Sequence, residues 1–279
     1  MTMQTTKPNP KDNGAVIIDI DGVVNKMSNR RFYAQFIINT CIALRHVTPN
    51  RKSIIESIKL FKKEGSNGLF CYIRKMSKDD KAYKKICDEI TGSLNYKRLP
   101  KEEKLGEYLR ELAKRKRIIV RTDGLSSVGK KVWEQVVGDS YPQEKVAFFG
   151  INETNFALKT SENGWDFAAE NGINLSSSYL LDDRAKNRVH AERFGIKTLA
   201  VSEEKPLSYF LRGMSEAAKK ETNIEYFTDL MTVSEEKDST KDRIAQIKTH
   251  DLFVSSKKKV KKLIRSSNKG LDIQLQRQF

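Results

Sequence analysis

The stretch Val16-Ile17-Ile18-Asp19-Ile20-Asp21-Gly22-Val23-Val24 sets two carboxylates one residue apart at the end of an apolar run, with a glycine directly behind them. Like charges there repel each other and cost desolvation unless something positive stands between them. A hard cation resolves the conflict. Mg²⁺ takes oxygen ligands, commonly one or two carboxylates, with water and a substrate phosphate completing its shell. Asp19 would then meet the phosphorus, and Asp21, reachable past Gly22, would donate a proton. For this stretch taken alone, a plain strand with an Asp-Gly turn is the alternative.

A second strand end of the same kind follows later, Ser178-Tyr179-Leu180-Leu181-Asp182-Asp183. Between the two lie Arg117-Ile118-Ile119-Val120-Arg121-Thr122-Asp123-Gly124, where a hydroxyl closes an apolar strand ahead of a helix, and a loop that carries Lys159. Thr122 and the backbone N–H groups after it, beginning with Asp123, suit a phosphate oxygen because a helix N-terminus favours negative charge. A strand-turn-helix without a ligand explains that stretch nearly as well.

These residues need elements that bring them together. Apolar runs at Val16–Ile20, Arg117–Arg121, Lys145–Phe149, Ser178–Leu181 and Ile196–Val201 alternate with helical periodicity over Ser127–Val137, Trp165–Gly172 and Asn187–Phe194. That alternation predicts an α/β fold with a parallel sheet, right-handed crossovers and all strand ends on one edge. Open sheets of this kind bind ligands at that edge. Asp19, Asp21, Thr122, Lys159, Asp182 and Asp183 would converge there.

From Asn25 to Lys116 no strand is evident and the apolar period is helical. Phe32, Phe36, Ile37, Cys41 and Leu44 share a face before Pro49, and Ile54, Ile55, Ile58 and Phe61 do so before Gly65. Further helices are expected over Leu69–Met76, Asp79–Ile90 and Pro100–Arg115. The predicted organisation is a flexible leader at 1–14, a core formed by 15–24 and 117–233, a helical insertion at 25–116 and a basic extension at 234–279. The insertion is rich in Lys and Arg and, standing over a carboxylate-rich site, would gather anionic substrates. Arg30, Arg31, Arg74 and Lys75 are its candidate substrate contacts, although most such charges on helices form a solvated face.

Composition narrows the classes. A hydrophobic content of 38% supports a packed core, and a formal charge of +16 points to anionic partners. No apolar run reaches the roughly 18 residues of a membrane span, and Met1–Gly14 lacks the apolar core of a signal peptide. A cytoplasmic protein is expected. Cys41, Cys71 and Cys87 are widely spaced with no C-x-x-C pair, and His46, His190 and His250 are isolated, so neither a disulfide scaffold, a zinc site nor a Ser-His-Asp triad has its parts.

The order Asp19-Ile20-Asp21-Gly22-Val23, Thr122, Lys159, Leu181-Asp182-Asp183 resembles the four motifs of the haloacid dehalogenase superfamily of phosphatases. The segment Phe167-Ala168-Ala169-Glu170-Asn171-Gly172-Ile173, with Gly195-Ile196-Lys197-Thr198-Leu199-Ala200-Val201 behind the paired acids, is similar in spacing too. The likeness spans Ala15 to Val201. It implies a three-layer Rossmannoid core with a helical cap as the insertion. Asp19 would be the nucleophile and a Mg²⁺ ligand, and Asp21 the general acid and then base, its backbone carbonyl also on the metal. Thr122, Asp123 and Lys159 would hold the phosphoryl group, while Asp182 ligates Mg²⁺ directly and Asp183 does so through water. Thr160 departs from the pattern, since many relatives carry proline after the lysine. An acid at Asp21 favours phosphate esters over halides, and transfer of the phosphoryl group to another acceptor uses the same intermediate.

More loosely, the core, the lysine-rich cap and the basic C-terminus resemble phosphotyrosine phosphatase effectors that intracellular bacteria inject into host cells. That likeness implies a phosphotyrosine protein as substrate and work at a host membrane. Lys257, Lys258, Lys259, Lys261, Lys262 and Arg265, interleaved with Val254, Val260, Leu263 and Ile264, fit a basic amphipathic helix on anionic lipid. A solvated tail, a nuclear import signal and a nucleic-acid patch remain as alternatives. Two other functions stay open: a nucleotide or sugar-phosphate phosphatase, and a non-catalytic module that binds anionic lipid or nucleic acid.

Overall fold

The computed structural model describes residues 14–26, 30–47, 55–56, 59–60, 66–141 and 143–219. In chain order the strands and α-helices are β1 (Ala15–Ile18), α1 (Arg30–Val47), α2 (Ser66–Met76), α3 (Asp80–Gly92), α4 (Lys104–Leu112), β2 (Arg117–Arg121), α5 (Ser126–Val137), β3 (Val146–Phe149), α6 (Asp166–Glu170), β4 (Tyr179–Asp182), α7 (Ala185–Glu192), β5 (Lys197–Ala200) and α8 (Leu207–Lys219). They divide into two compact units. One holds the described residues of Met1–Met27 and Tyr96–Ser239, the other those of Ser28–Asn95.

The first unit is built on a parallel sheet of order β3-β2-β1-β4-β5. The chain fills one side of β1 and then the other, so the strand order reverses between β1 and β4. Ile17, Ile119 and Leu180 are register partners on one face, where they pack with Trp165, Phe167, Ala168, Ala191 and Ile196. On the opposite face Val16, Ile18, Ile118, Val120 and Leu181 are equally buried. Neighbouring residues of β3 show the layering: Phe148 meets Trp133 of α5 edge-on at 6.1 Å, while Phe149 meets Phe167 of α6 at 4.4 Å. Helices therefore cover both faces, as a parallel sheet requires.

Two boundaries differ from the sequence reading. Gly14 is buried, and a Cβ there would stand 2.0 Å from the Ser177 carbonyl oxygen, so it belongs to the core and not to a leader. Helix α4, expected in the insertion, packs on α8 and α5 within the sheet unit. A helix was expected over Pro100–Arg115, and its buried stripe is Leu105, Leu109 and Leu112. A period shows a face without showing its partner. The insertion accordingly ends at Asn95, well before Lys116.

The helical unit has its own core. Phe36 of α1 meets Phe70 of α2 edge-on at 6.1 Å, and Leu44, Ile73, Ile86 and Ile90 are buried. Asp79 caps α3 by accepting the Ala82 N–H at 2.8 Å. Gln35 donates to the Ser93 carbonyl at 2.7 Å and accepts the Asn95 N–H, closing the end of the unit. Among the described residues Cys41, Cys71 and Cys87 form no disulfide. No helix among the described residues is long and apolar enough to cross a membrane.

Candidate active site

The reversal of strand order leaves a crevice beyond the carboxyl ends of β1 and β4, the usual ligand position in open α/β sheets. Asp19 follows β1 directly, and its N–H extends the ladder to the Leu181 carbonyl at 3.0 Å. Asp182 ends β4 beside it. Lys159 enters from the segment after β3 and places Nζ 2.6 Å from Asp19 Oδ1 and 2.6 Å from Asp182 Oδ2. All three side chains are buried. Nearest atoms of Asp19, Asp182 and Asp183 lie within 4.8 Å of one another.

The carboxylates are not equivalent. Asp182 Oδ1 accepts the Arg184 N–H at 2.9 Å and Asn187 Nδ2 at 3.1 Å, while Oδ2 accepts Lys159 and the same Asn187 nitrogen. Burial alone would raise its pKa, but Lys159 and these donors outweigh it and leave it below the ordinary value. Asp183 is the opposite case. Burial and the neighbouring Asp182 push it up to about 6, and its buried Oδ1 has no hydrogen-bond partner. Asp19 is raised well above its usual value by burial, with Lys159 opposing and Asp182, Asp183 and Asp21 adding to the rise. Lys159 stays protonated despite burial because Asp182 and Asp19 hold it so.

This arrangement fits a divalent cation. Against burial, Asp183, Asp19, Asp21 and Asp182 favour the charge of Arg184, and Asp182, Asp19 and Asp123 favour that of Lys159. The orphaned Asp183 oxygen supplies a ready ligand, whereas the oxygens of Asp182 are already engaged. Hydrogen bonding thus engages Asp182 with Lys159, the Arg184 N–H and Asn187 and leaves Asp183 Oδ1 open, while all three of Asp19, Asp182 and Asp183 lie close enough to share one ion.

Gly22 makes the approach of Asp183 possible. Its φ is +95°, and a Cβ would lie 2.1 Å from Asp183 Oδ2. Gly22→Ala is expected to push that carboxylate aside. The check is the rise in melting temperature on adding Mg²⁺, which should vanish in a variant that keeps the wild-type circular dichroism spectrum; a full rise would show the contact to be dispensable.

Asp21 is half-buried and forms a bridge with Asn25. Thr122 is buried, its N–H on the Phe149 carbonyl and its Oγ1 accepting the Gly124 N–H at 3.0 Å. Asp123 was read for its backbone amide, yet its carboxylate also works, accepting the Lys159 N–H at 3.0 Å. The cationic contacts expected in the insertion lie in the helical unit. Arg31 and Lys75 are exposed there, and Arg30 opens α1. Arg74 is paired with Asp80 and stacks 5.8 Å from the Tyr83 ring, which gives it a structural use. Lys257, Lys258, Lys259, Lys261, Lys262 and Arg265 lie outside the described residues, as does the stretch 220–233 expected to complete the core.

Three residues beside the site were not singled out from the sequence: Asn187, Arg184 and Arg121. The signal for Asn187 was its place one helical turn after the paired acids. Arg184 follows those acids directly, where a charged residue reads as solvent-facing.

No family model and no curated protein matches the chain. Solved structures do resemble it. The Unknown transcript 4 protein of Saccharomyces cerevisiae is 16% identical, with 68% of this chain and 89% of that one covered at a TM-score of 0.42. A haloacid dehalogenase-like family hydrolase from Xanthomonas campestris is 10% identical over 77% and 97% at 0.43. The beta-phosphoglucomutase of Clostridium difficile is 13% identical over 70% and 87% at 0.40. Likenesses of this strength leave the class to be read from the site itself.

Proposed function

We propose that the chain is a Mg²⁺-dependent phosphomonoester hydrolase of the haloacid dehalogenase type. The observation that carries this reading is the placement of one buried ammonium between two buried aspartates, with the orphaned Asp183 oxygen beside them.

In this reading Asp19, Asp183 and the backbone carbonyl of Asp21 hold the metal, which supplies charge for the phosphoryl oxygens and for the crowded carboxylates. Lys159 fixes Oδ1 of Asp19 and leaves the other oxygen to attack phosphorus. As the phosphorus–oxygen ester bond breaks, Asp21 gives its proton to the leaving oxygen, producing an alcohol and an aspartyl-phosphate on Asp19. Asp21, now ionised, takes a proton from water, whose oxygen attacks phosphorus and returns free phosphate and the Asp19 carboxylate. Thr122 and Lys159 hold the phosphoryl oxygens throughout.

The test is phosphate release, with Mg²⁺ and with chelator, from phosphotyrosine and phosphoserine peptides, nucleotides and sugar phosphates. Metal-dependent release supports the class. Release confined to phosphotyrosine peptides supports the finer reading, a protein phosphatase effector at an anionic host membrane, which rests on the basic C-terminal sequence. A preference for nucleotides or sugar phosphates replaces it with a metabolic phosphatase. No release from any of them leaves the non-catalytic module.

Metal binding should also depend on pH through Asp183. Its folded pKa lies above the unfolded value, so the folded state binds this proton more tightly and the group's contribution to stability falls as pH rises from about 4 to about 6. Above that range the carboxylate is charged and a cation relieves it. The melting-temperature rise produced by Mg²⁺ should therefore be larger at pH 7.5 than at pH 5. Equal rises at both would remove Asp183 from the ligand set.

A further inference from the structure

Arg121, the last residue of β2, has no part in the chemistry above, yet its side chain is fully buried. One guanidinium nitrogen donates to the Thr122 carbonyl and the other to the Ala157 carbonyl at 2.8 Å. Asp123 Oδ1 lies 3.5 Å away and the Phe167 ring 6.0 Å away. Nε is buried without a partner. Burying an arginine with an unsatisfied donor is costly, and an apolar side chain would end an apolar strand at less expense.

The guanidinium supplies a tie that an apolar side chain would not. Asp123 Oδ1, beside Arg121, accepts the N–H of Lys159, and Ala157, two residues earlier, accepts Arg121 itself. The segment that delivers Lys159 is thus held at both positions to the end of β2. It arrives there through two non-glycine residues with positive φ, Asn155 at 49° and Phe156 at 63°, a backbone that persists only where its surroundings hold it.

We propose that Arg121 and Asp123 are a positioning pair that sets the Lys159 ammonium between Asp19 and Asp182. The catalytic consequence rests on the phosphatase reading; the positioning itself does not.

The experiment compares the full-length wild type with Arg121→Met, Asp123→Ala and Asp123→Asn. One readout is acetylation of lysines by acetic anhydride, followed peptide by peptide by mass spectrometry. The other is kcat and KM for p-nitrophenyl phosphate with Mg²⁺. In Arg121→Met and Asp123→Ala, labelling of Lys159 should rise severalfold while that of exposed Lys130 stays constant. In both, kcat should fall about 10–100-fold with KM within about twofold. Asp123→Asn keeps an acceptor oxygen and should recover most of both. Unchanged Lys159 labelling in folded variants overturns the proposal, as does released Lys159 with undiminished kcat. If labelling rises at every lysine in Arg121→Met, that variant has unfolded, and Asp123→Ala, altered at the edge of the core, decides. A wild type without turnover but with the Lys159-confined labelling change retains the positioning pair and removes the phosphatase reading.

Discussion

Asp19→Asn should stop phosphate release, by at least about a thousand-fold, while leaving the metal-free protein as stable as the wild type or more so. The loss follows from the proposed chemistry: an amide does not attack phosphorus, and an essential nucleophile removed alone costs nearly as much as the whole machinery. The gain follows from electrostatics. Burial is the largest influence on Asp19 and opposes its charge, as do three neighbouring carboxylates, with Lys159 the main group favouring it. An isosteric neutral group relieves that conflict, a trade of stability for activity common where a site is built from like charges. Chemical denaturation with chelator present, beside the phosphate assay, gives both numbers. Residual turnover within tenfold of wild type, at rates that contamination does not explain, would move the nucleophile elsewhere.

Lys159→Met should have the largest effect on folding. Removing the ammonium leaves Asp19 and Asp182 buried and facing each other with their shared cation gone. Breaking a buried pair in this way costs about 3–5 kcal/mol, which in a domain of this size lowers the melting temperature by roughly 10 °C. The sign of the pH dependence is fixed as well. Without the lysine, a proton on either aspartate is the available relief, so the penalty should be greater at pH 8 than at pH 5. Adding Asp182→Asn to Lys159→Met should recover much of the loss. A penalty that is equal at both pH values, or not recovered by the second substitution, would mean that the lysine acts through packing alone.

The strands were legible because their residues leave little choice: Val16, Ile17 and Ile18 can only be buried, and β1 lies at the centre of the sheet. The pairing of Asp19 with Asp182 was legible from two acid-capped strands and the order of the motifs. Local patterns do not carry partners, however. The stripe on α4 showed that the helix buries Leu105, Leu109 and Leu112 without showing that α8 covers them. That Asp182 is fully hydrogen-bonded while Asp183 Oδ1 has no partner depended on Asn187 and the Arg184 N–H, donors brought by the start of α7. Arg74 reads as a free cation until Asp80 and Tyr83 are seen around it. Arg121 was the hardest to read. A charged residue at a strand end signals solvent, and only the fold turns it inward.

The close of the first crossover has a meaning for how such a protein changes over time. The sheet unit runs to Met27 and resumes at Tyr96, and Lys26 pairs with Glu102 at 2.5 Å. That ion pair lies within the sheet unit and joins the chain just before the insertion to the chain just after it. Between them the helices carry their own core. An insertion anchored like this is a cassette: it can lengthen, shrink or be exchanged, because joining ends already held close adds little loop-closure entropy. Such a change would leave the residues of the sheet unit, Asp19, Lys159 and Asp182 among them, as they are.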